Sequence, residues 1–220
     1  MTRPTTRRRD KLAPDPGVRR VILAAASESL HEQGIRGLSV AAVLDRAQLS
    51  TRAFYRHFES RDQLVAAVFL DMAHAETRRL RKRMAKTADP VEAVATWVDA
   101  RLDLAFDEGI KSDLRHLSLE AQSAIFASPE LIQPAYTAML EPLVEQLQRG
   151  VVQGVFTDVD PLTEAQSIQG VVWASTERQW ATGDLGRAAV REHVLRFCLR
   201  GLGVAPEAIA RIAGQTAAFD

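Results

Sequence analysis

The sequence from Leu38 to Leu64 reads LSVAAVLDRAQLSTRAFYRHFESRDQL, and its spacing decides the fold of the N-terminal part. Ser39 is a suitable N-cap for a first short helix, and Ser50 is a suitable N-cap for a second one after a brief break. In the second helix Phe54 and Phe58 stand four residues apart, so they share one face. Two short helices around a tight turn predict a helix-turn-helix.

The opposite face of the second helix carries polar side chains suited to duplex DNA. Arg forks onto guanine O6 and N7, and the first residues of such a helix usually meet base edges, so we predict that Thr51 and Arg52 read bases. Later positions pass the strand backbone. The predicted phosphate contacts are Tyr55, Arg56, His57 and Arg61, and the DNA-binding set is completed by Ser39 and Ser50. On periodicity alone, an amphipathic helix with its polar side in water is the alternative interpretation.

The same stretch resembles the DNA-binding headpiece of TetR-type transcriptional regulators. That family combines a Ser- or Thr-capped helix, a short turn, an aromatic Y-x-H-F-like close and an S-K-E/D-x-L segment. The corresponding residues here are Ser39, 47–50, 54–58 and 60–64. The match covers roughly the first third of the chain. The resemblance implies a dimeric regulator, commonly a repressor, that binds double-stranded DNA at a palindromic operator and is released by a small-molecule effector.

A few positions depart from the family pattern. Gln48 stands where the family commonly has Gly, so a left-handed backbone there would carry strain. Arg52 replaces a small residue or Pro and adds a base-contacting side chain, whereas Ala53 replaces Thr and removes a phosphate contact. Val40 and Ala41 give the first helix little to offer DNA. The alternative function is therefore a dimeric helical small-molecule-binding or interaction protein without specific operator recognition.

Charge is divided unevenly along the 220 residues, although the net charge is zero. Residues 1–62 contain 12 Lys and Arg against 7 Asp and Glu, a surplus of five positive charges, and residues 63–220 contain 16 against 21. A basic N-terminal part that also carries the motif indicates DNA contact at that end. Within it we predict a disordered basic arm over 1–16, which either contacts DNA or only solubilises the chain. The basic residues of this arm are Arg3, Arg7, Arg8, Arg9 and Lys11.

The composition indicates a globular protein without a membrane span. Hydrophobic residues make up 46% of the chain, enough for a substantial core. The longest apolar run, 64–70, falls far below the ~18 residues needed to cross a bilayer. A single cysteine, Cys198, excludes an internal disulfide and fits a cytoplasmic location. We predict no enzyme, metal site or cofactor, because the His, Asp and Glu residues show neither metal-ligand spacing nor a nucleophile arrangement.

Capping signals predict an all-α protein of about nine or ten helices. An N-terminal three-helix headpiece with the helix-turn-helix is expected over 17–62, and a helical ligand-binding and dimerisation domain over 63–220. The pairs Asp89-Pro90, Ser128-Pro129 and Asp160-Pro161 each place a cap before a Pro suited to the first helical turn.

The last helices are expected over 161–182, 187–201 and 206–214. Pro134 and Pro142 should bend or split the helix that follows Pro129.

A two-fold operator requires a dimer of fixed geometry. Apolar positions that share a face on the last two long helices predict a four-helix interface, and burial within the chain's own core is the alternative. The predicted interface residues are Ile168, Val171, Val172, Val190, Val194 and Phe197.

An effector pocket is expected within 65–180. Pockets in helical bundles are mostly apolar with a few orienting polar groups, and ordinary core packing is the alternative for each aromatic residue. Arg101, one turn after Trp97, would favour a carboxylate or phosphate on the effector if it is buried. The candidates are Trp97, Arg101, Phe106, His116, Gln122, Phe126, Tyr136 and Trp173.

Overall fold

The computed structural model describes residues 15–106 and 129–214, and all secondary structure within those ranges is helical. The chain divides into two compact units, Met1–Val68 and Phe69–Asp220. The helices are α1 Pro16–Gly37, α2 Val40–Ala47, α3 Thr51–His57, α4 Arg61–Met84, α5 Pro90–Phe106, α6 Pro129–Val152, α7 Pro161–Thr182, α8 Arg187–Gly201 and α9 Pro206–Gly214. None of these helices is long and apolar enough to cross a membrane.

In the first unit, α1 supplies the apolar stripe against which the two short helices pack. Asp15 caps α1 by accepting a hydrogen bond from the Gly17 N–H at 2.7 Å. Ile22, Ala26 and Leu30 recur at helical spacing and are at most 1% exposed, so one face of α1 is buried. The backbone of α1 is interrupted at Gly34, which has φ 69°.

Helix α4 begins in the first unit and ends in the second. Ser60 accepts a hydrogen bond from the Gln63 N–H at 3.1 Å, as the N-cap residue of a helix does. In a standard capping box, the side chain three residues after the cap accepts from the N–H of the cap residue itself. Here the Gln63 Oε1 accepts from the Glu59 N–H, one residue before Ser60, at 2.6 Å. The division predicted after residue 62 and the division after Val68 both fall within α4.

The second unit is built around a buried core formed by α4, α5, α6, α7, α8 and α9. Trp97 on α5 is 0% exposed and is the largest fully buried side chain of the described residues. The predicted caps open two of these helices. Asp89 Oδ1 accepts from the Val91 N–H at 2.8 Å, and Asp160 Oδ2 accepts from the Thr163 N–H at 2.9 Å. The helices predicted over 161–182, 187–201 and 206–214 have these same bounds.

Pro134 and Pro142 do not split α6, which is one helix from Pro129 to Val152. A proline inside a helix leaves the carbonyl four residues earlier without its usual N–H donor. For Pro142 that carbonyl belongs to Ala138, and it accepts a hydrogen bond from the buried Thr77 hydroxyl of α4 at 2.7 Å. The donor missing within α6 is therefore supplied by α4, and the helix continues.

A chain of alternating charges crosses the second unit from α4 to α9. Asp103 accepts from Arg83 at 3.1 Å and from Arg187 at 2.5 Å. Asp99 lies 3.2 Å from Arg187 and binds Arg191 through both carboxylate oxygens, at 2.7 and 3.1 Å. Arg191 also donates to the carbonyls of Ile212 and Ala213, the last turn of α9. Buried charges of this kind are tolerated because each one has an opposite partner.

The bond between Thr77 and Ala138 predicts a measurable coupling. Thr77→Val keeps the side-chain shape but leaves the buried Ala138 carbonyl without a donor, which should lower the free energy of unfolding by about 1–3 kcal/mol. In a Pro142→Ala background the helix N–H is restored, so the same Thr77→Val change should cost clearly less. Urea unfolding of the four proteins of this double-mutant cycle measures the difference. An equal cost in both backgrounds would contradict the proposed compensation.

Candidate functional site

The orientation of α3 is fixed by its two phenylalanines. Phe54 is 0% exposed and Phe58 is 2% exposed, and their ring centroids lie 5.7 Å apart. The Arg19 guanidinium carbon of α1 lies 5.3 Å from the centroid of the Phe58 ring. With one face buried in this way, the opposite face of α3 must point out of the first unit.

The outer face of α3 carries four residues whose spacing on the helix predicted that they contact DNA. They are all exposed, and they are Thr51, Arg52, Tyr55 and Arg56. Tyr55 is 63% exposed, and its ring packs edge-on against Phe54 with centroids 5.2 Å apart and planes at 86°. The aromatic contact restrains a side chain that is otherwise in solvent.

Ser39 and Ser50 cap α2 and α3 as predicted. The Ser39 Oγ accepts from the Ala42 N–H at 3.1 Å, and the Ser50 Oγ accepts from the Ala53 N–H at 3.3 Å. A hydroxyl that accepts through its oxygen still has its hydrogen to donate. Their roles as caps are therefore compatible with the predicted DNA contacts of Ser39 and Ser50, which remain predictions.

The turn between α2 and α3 has the left-handed backbone considered for Gln48, with φ 52° and ψ 42°. The Gln48 N–H donates to the Asp45 carbonyl at 3.1 Å, and the Leu49 N–H donates to the Leu44 carbonyl at 2.9 Å. These two bonds form a Schellman motif, which closes the open carbonyls at the end of α2. A side chain at this position costs about 1 kcal/mol relative to glycine.

Arg61 has an additional role that the sequence did not predict. Its Nε donates to the Leu38 carbonyl at 2.8 Å, and its Nη2 donates to the Ile35 carbonyl. Nη1 lies 3.5 Å from Asp62. The guanidinium thus holds the end of α1 to the start of α4 within the first unit. We expect the main role of Arg61 to be stabilisation of the headpiece. Its phosphate contact stays a prediction. His57, the other residue at the end of this face, is partly buried.

Arg46 makes a further contact that was not expected from the sequence. It joins α2 to α1 by pairing with Glu32 at 2.5 Å and with Glu28 at 3.5 Å. The hydrogen bond from Arg46 lowers the pKa of the Glu32 carboxyl. Glu28 and Glu32 are one helical turn apart and therefore share a face of α1. This spacing was the feature of the sequence from which a basic partner for that face could have been predicted.

Five of the eight predicted effector-contacting residues lie in described parts of the second unit. Trp97 is buried in the core, and Phe106 and Tyr136 pack against that core while partly exposed. Burial raises the pKa of the Tyr136 hydroxyl. Trp173 is partly buried and packs edge-on against Trp180, with ring centroids 5.9 Å apart. The predicted residues His116, Gln122 and Phe126 lie outside the described residues.

Arg101 is partly buried, and its guanidinium carbon lies 5.8 Å from the centroid of the Trp97 ring. Burial lowers the pKa of Arg101, nearby Glu76 raises it and Arg79 lowers it. Two buried indole nitrogens, Nε1 of Trp97 and Nε1 of Trp173, have no acceptor in the described chain. The second unit therefore holds a desolvated cation and two unused donors among its aromatic residues.

The predicted dimer residues divide into two groups. The first group is buried in the chain's own core, because these positions face α5 and the rest of the second unit and not solvent; it comprises Ile168, Val172, Val190 and Val194. Burial within the chain, the alternative interpretation, accounts for these four. Val171 is partly buried, and Phe197 is 60% exposed. Among the six predicted residues, Phe197 is exposed and Val171 is partly exposed in the described chain.

Phe197 lies in a shallow groove on the outer side of α8. The groove is lined by His193, Arg196, Phe197, Arg200 and Gly201. On α7 the exposed positions include Gly170 and Ala174, one helical turn apart. A Cβ at Gly170 or Gly201 would meet no atom within 4 Å in the described chain, so packing there does not require these glycines.

The first unit contains a helix-turn-helix whose second helix, α3, has a polar exposed face, and the described part of the second unit is helical. Residues 22–68 match the sequence model of the family described as bacterial regulatory proteins, tetR family. No curated protein matches the chain in sequence.

Solved structures match over most of the chain. RolR in complex with resorcinol is 20% identical, with a TM-score of 0.67, and the match covers 92% of this chain and 96% of RolR. FadR from Bacillus subtilis in complex with stearoyl-CoA is 18% identical, with a TM-score of 0.62 and coverage of 83% and 98%. A TetR-family protein from Rhodococcus sp. is 19% identical, with a TM-score of 0.63 and coverage of 84% and 97%.

Residues 22–68 thus resemble bacterial regulatory proteins of the tetR family, and the described residues have the all-helical fold of a solved TetR-family protein. Because these three proteins are at most 20% identical to the chain, the structural matches show a similar fold and nothing further.

Proposed function

We propose that this protein is a ligand-responsive repressor that binds a palindromic operator as a homodimer and is released by a small-molecule effector. The observation that carries the proposal is the exposed face of α3, where Thr51, Arg52, Tyr55 and Arg56 stand on the buried rings of Phe54 and Phe58. In this role Thr51 and Arg52 read base edges in the major groove, and Tyr55 and Arg56 hold the phosphate backbone.

The effector would act through α4, the helix that is shared by the two units. Proteins of similar fold have been solved with resorcinol and with stearoyl-CoA, which supports a small-molecule effector for this chain. A ligand that displaces α4 would move the attached headpiece and change the spacing of the two recognition helices. Coupling of about 1–3 kcal/mol, or about 5–150-fold in operator affinity, is typical of such regulation.

The dimer would form through the outer faces of α7 and α8. Phe197 is a large apolar side chain left in solvent, and small residues at Gly170, Ala174 and Gly201 would allow helices of a second copy to approach closely. Dimer contacts of this kind bring the two recognition helices to half-sites one DNA turn, or a multiple of it, apart.

Paired arginine variants test the roles assigned on α3. Arg52→Ala should relax sequence preference by about 1–3 kcal/mol, because the fork onto guanine is removed. Arg56→Ala removes the same charge one turn further along the same helix. It should weaken binding to all duplexes alike and lower the salt slope by about 1 for each phosphate that is no longer neutralised. Gel-shift titrations against an operator selected from random duplex, at two salt concentrations, measure both effects.

The wild-type protein is the first control in those titrations. If it shows no preference for a palindromic site over random duplex, the repressor proposal fails and the alternative, a helical sensor without operator recognition, takes its place. If Arg56→Ala relaxes sequence preference as much as Arg52→Ala does, the division between base and phosphate contacts is wrong.

Phe197→Arg should break the dimer. The new charge would face its symmetry mate and lies beside Arg196 and Arg200, so an apolar contact becomes a like-charge contact. Light scattering after size exclusion should then give a mass near 24.3 kDa in place of twice that value. Val152→Arg is the matched control, because Val152 is 87% exposed at the end of α6 and outside the groove. A Phe197→Arg protein that remains a dimer would remove this face from the proposal.

A further inference from the structure

A desolvated positive charge lies on α5 in the second unit. Arg101 of α5 stacks over Trp97, with 5.8 Å between the guanidinium carbon and the ring centroid. Trp97 is 0% exposed and belongs to the core, while Arg101 is partly buried. The Trp97 ring therefore presents an apolar surface to the guanidinium group and attracts its charge.

Within residues 15–106 and 129–214, Arg101 has no direct partner for this charge: no acceptor hydrogen-bonds to its guanidinium and no carboxylate forms an ion pair with it. Burial is the largest influence on Arg101 and lowers its pKa. The contrast with Arg191 is clear, because that buried arginine binds Asp99 at 2.7 and 3.1 Å and two carbonyls as well. A desolvated cation is costly unless an anion is placed beside it.

Glu76 of α4 is the acidic group that acts on Arg101, and its charge is already shared. It raises the pKa of Arg101, which means that it attracts the guanidinium, but it lies 3.8 Å from Arg79. Arg79 in turn lowers the pKa of Arg101, as a neighbouring cation does. Glu76, Arg79 and Arg101 together carry one surplus positive charge. The Glu76 Oε1 is also buried without a donor in the described chain.

We infer that Arg101 binds an oxyanion, a carboxylate or a phosphate, on an otherwise apolar effector. The inference rests on the proposed function, since it names the chemical class of ligand for the same regulatory site. The guanidinium offers two parallel N–H donors to such a group, and its carbon already lies 5.8 Å from the centroid of the Trp97 ring. Phe106 and Tyr136, which pack partly exposed against the core that contains Trp97, are available to the apolar part of the ligand.

In the same arrangement, a bound anion affects α4 through Glu76. An oxyanion at Arg101 competes with Glu76 for the guanidinium and repels the Glu76 carboxylate. Because Glu76 and Arg101 lie on different helices, ligand binding weakens an attraction between α4 and α5. Formation of the ion pair between the ligand and Arg101 thus weakens a contact of α4, the helix that continues into the headpiece.

Matched acids and amides test the site on the full-length protein without DNA. The probes are benzoate with benzamide, octanoate with octanamide, and phenyl phosphate, each at millimolar concentration in thermal-shift and calorimetric titrations. At least one of the anions should stabilise the wild type, and the uncharged amides should not. Phenyl phosphate against benzoate shows which oxyanion is preferred. Arg101→Gln should weaken anion binding by about tenfold or more, and Arg101→Lys by less.

Glu76→Gln separates a binding role from a merely structural one. Removal of the competing carboxylate should tighten anion binding, whereas a change that only loosens the fold would weaken it. The inference is overturned if no anion binds, if amides bind as well as acids, or if Arg101→Gln binds the acids unchanged. DNA binding is scored separately. A protein that binds an operator but prefers neutral ligands refutes the anion site alone, and one that binds anions but no operator refutes the repressor proposal alone.

Discussion

The burial of two phenylalanines on a seven-residue helix is the constraint on which the headpiece depends. A helix as short as α3 is not stable by itself, so its position is set by what its apolar face covers. Phe54 within α3 and Phe58 at its C-cap fill that face, which leaves the opposite face exposed, and this is the face proposed to contact DNA. The Ser50 cap and the left-handed turn at Gln48 fix where the helix starts, and therefore which residues come first at the groove.

In the second unit, buried polar groups that have direct partners stabilise the fold, whereas Arg101, which has no direct partner among the described residues, is assigned to ligand binding. Thr77 supplies the donor that Pro142 removes from α6, and the chain of charges from Arg83 to Arg191 joins helices through shared carboxylates. Both features satisfy their own groups and need no ligand. Arg101 differs because its charge is desolvated and, within the described chain, is attracted by Glu76 without a direct bond. That difference is the physical basis for assigning it to an effector and not to the fold.

Local signals in the sequence were sufficient for most of the fold, because caps and turns involve residues close together in the chain. Ser39, Ser50 and Asp160 cap the helices they were expected to cap. Long-range partners left weaker signals. An apolar stripe on α7 or α8 has the same spacing whether it faces the chain's own core or a second copy, and Val190 lies in the chain's own core. The hydrogen bond from Arg61 to the Leu38 carbonyl could not be predicted, because main-chain acceptors leave no signal in a sequence. The phosphate contact of Arg61 stays a prediction.

Chemical protection of guanine N7 on a selected operator is the most direct measurement of the central claim, that two copies of α3 enter the major groove together. The account predicts two groups of protected guanines whose centres lie one helical turn of about 10–10.5 base pairs apart, or a whole multiple of it, on a symmetric site. A single protected group, or full affinity with every guanine N7 still reactive, would contradict it.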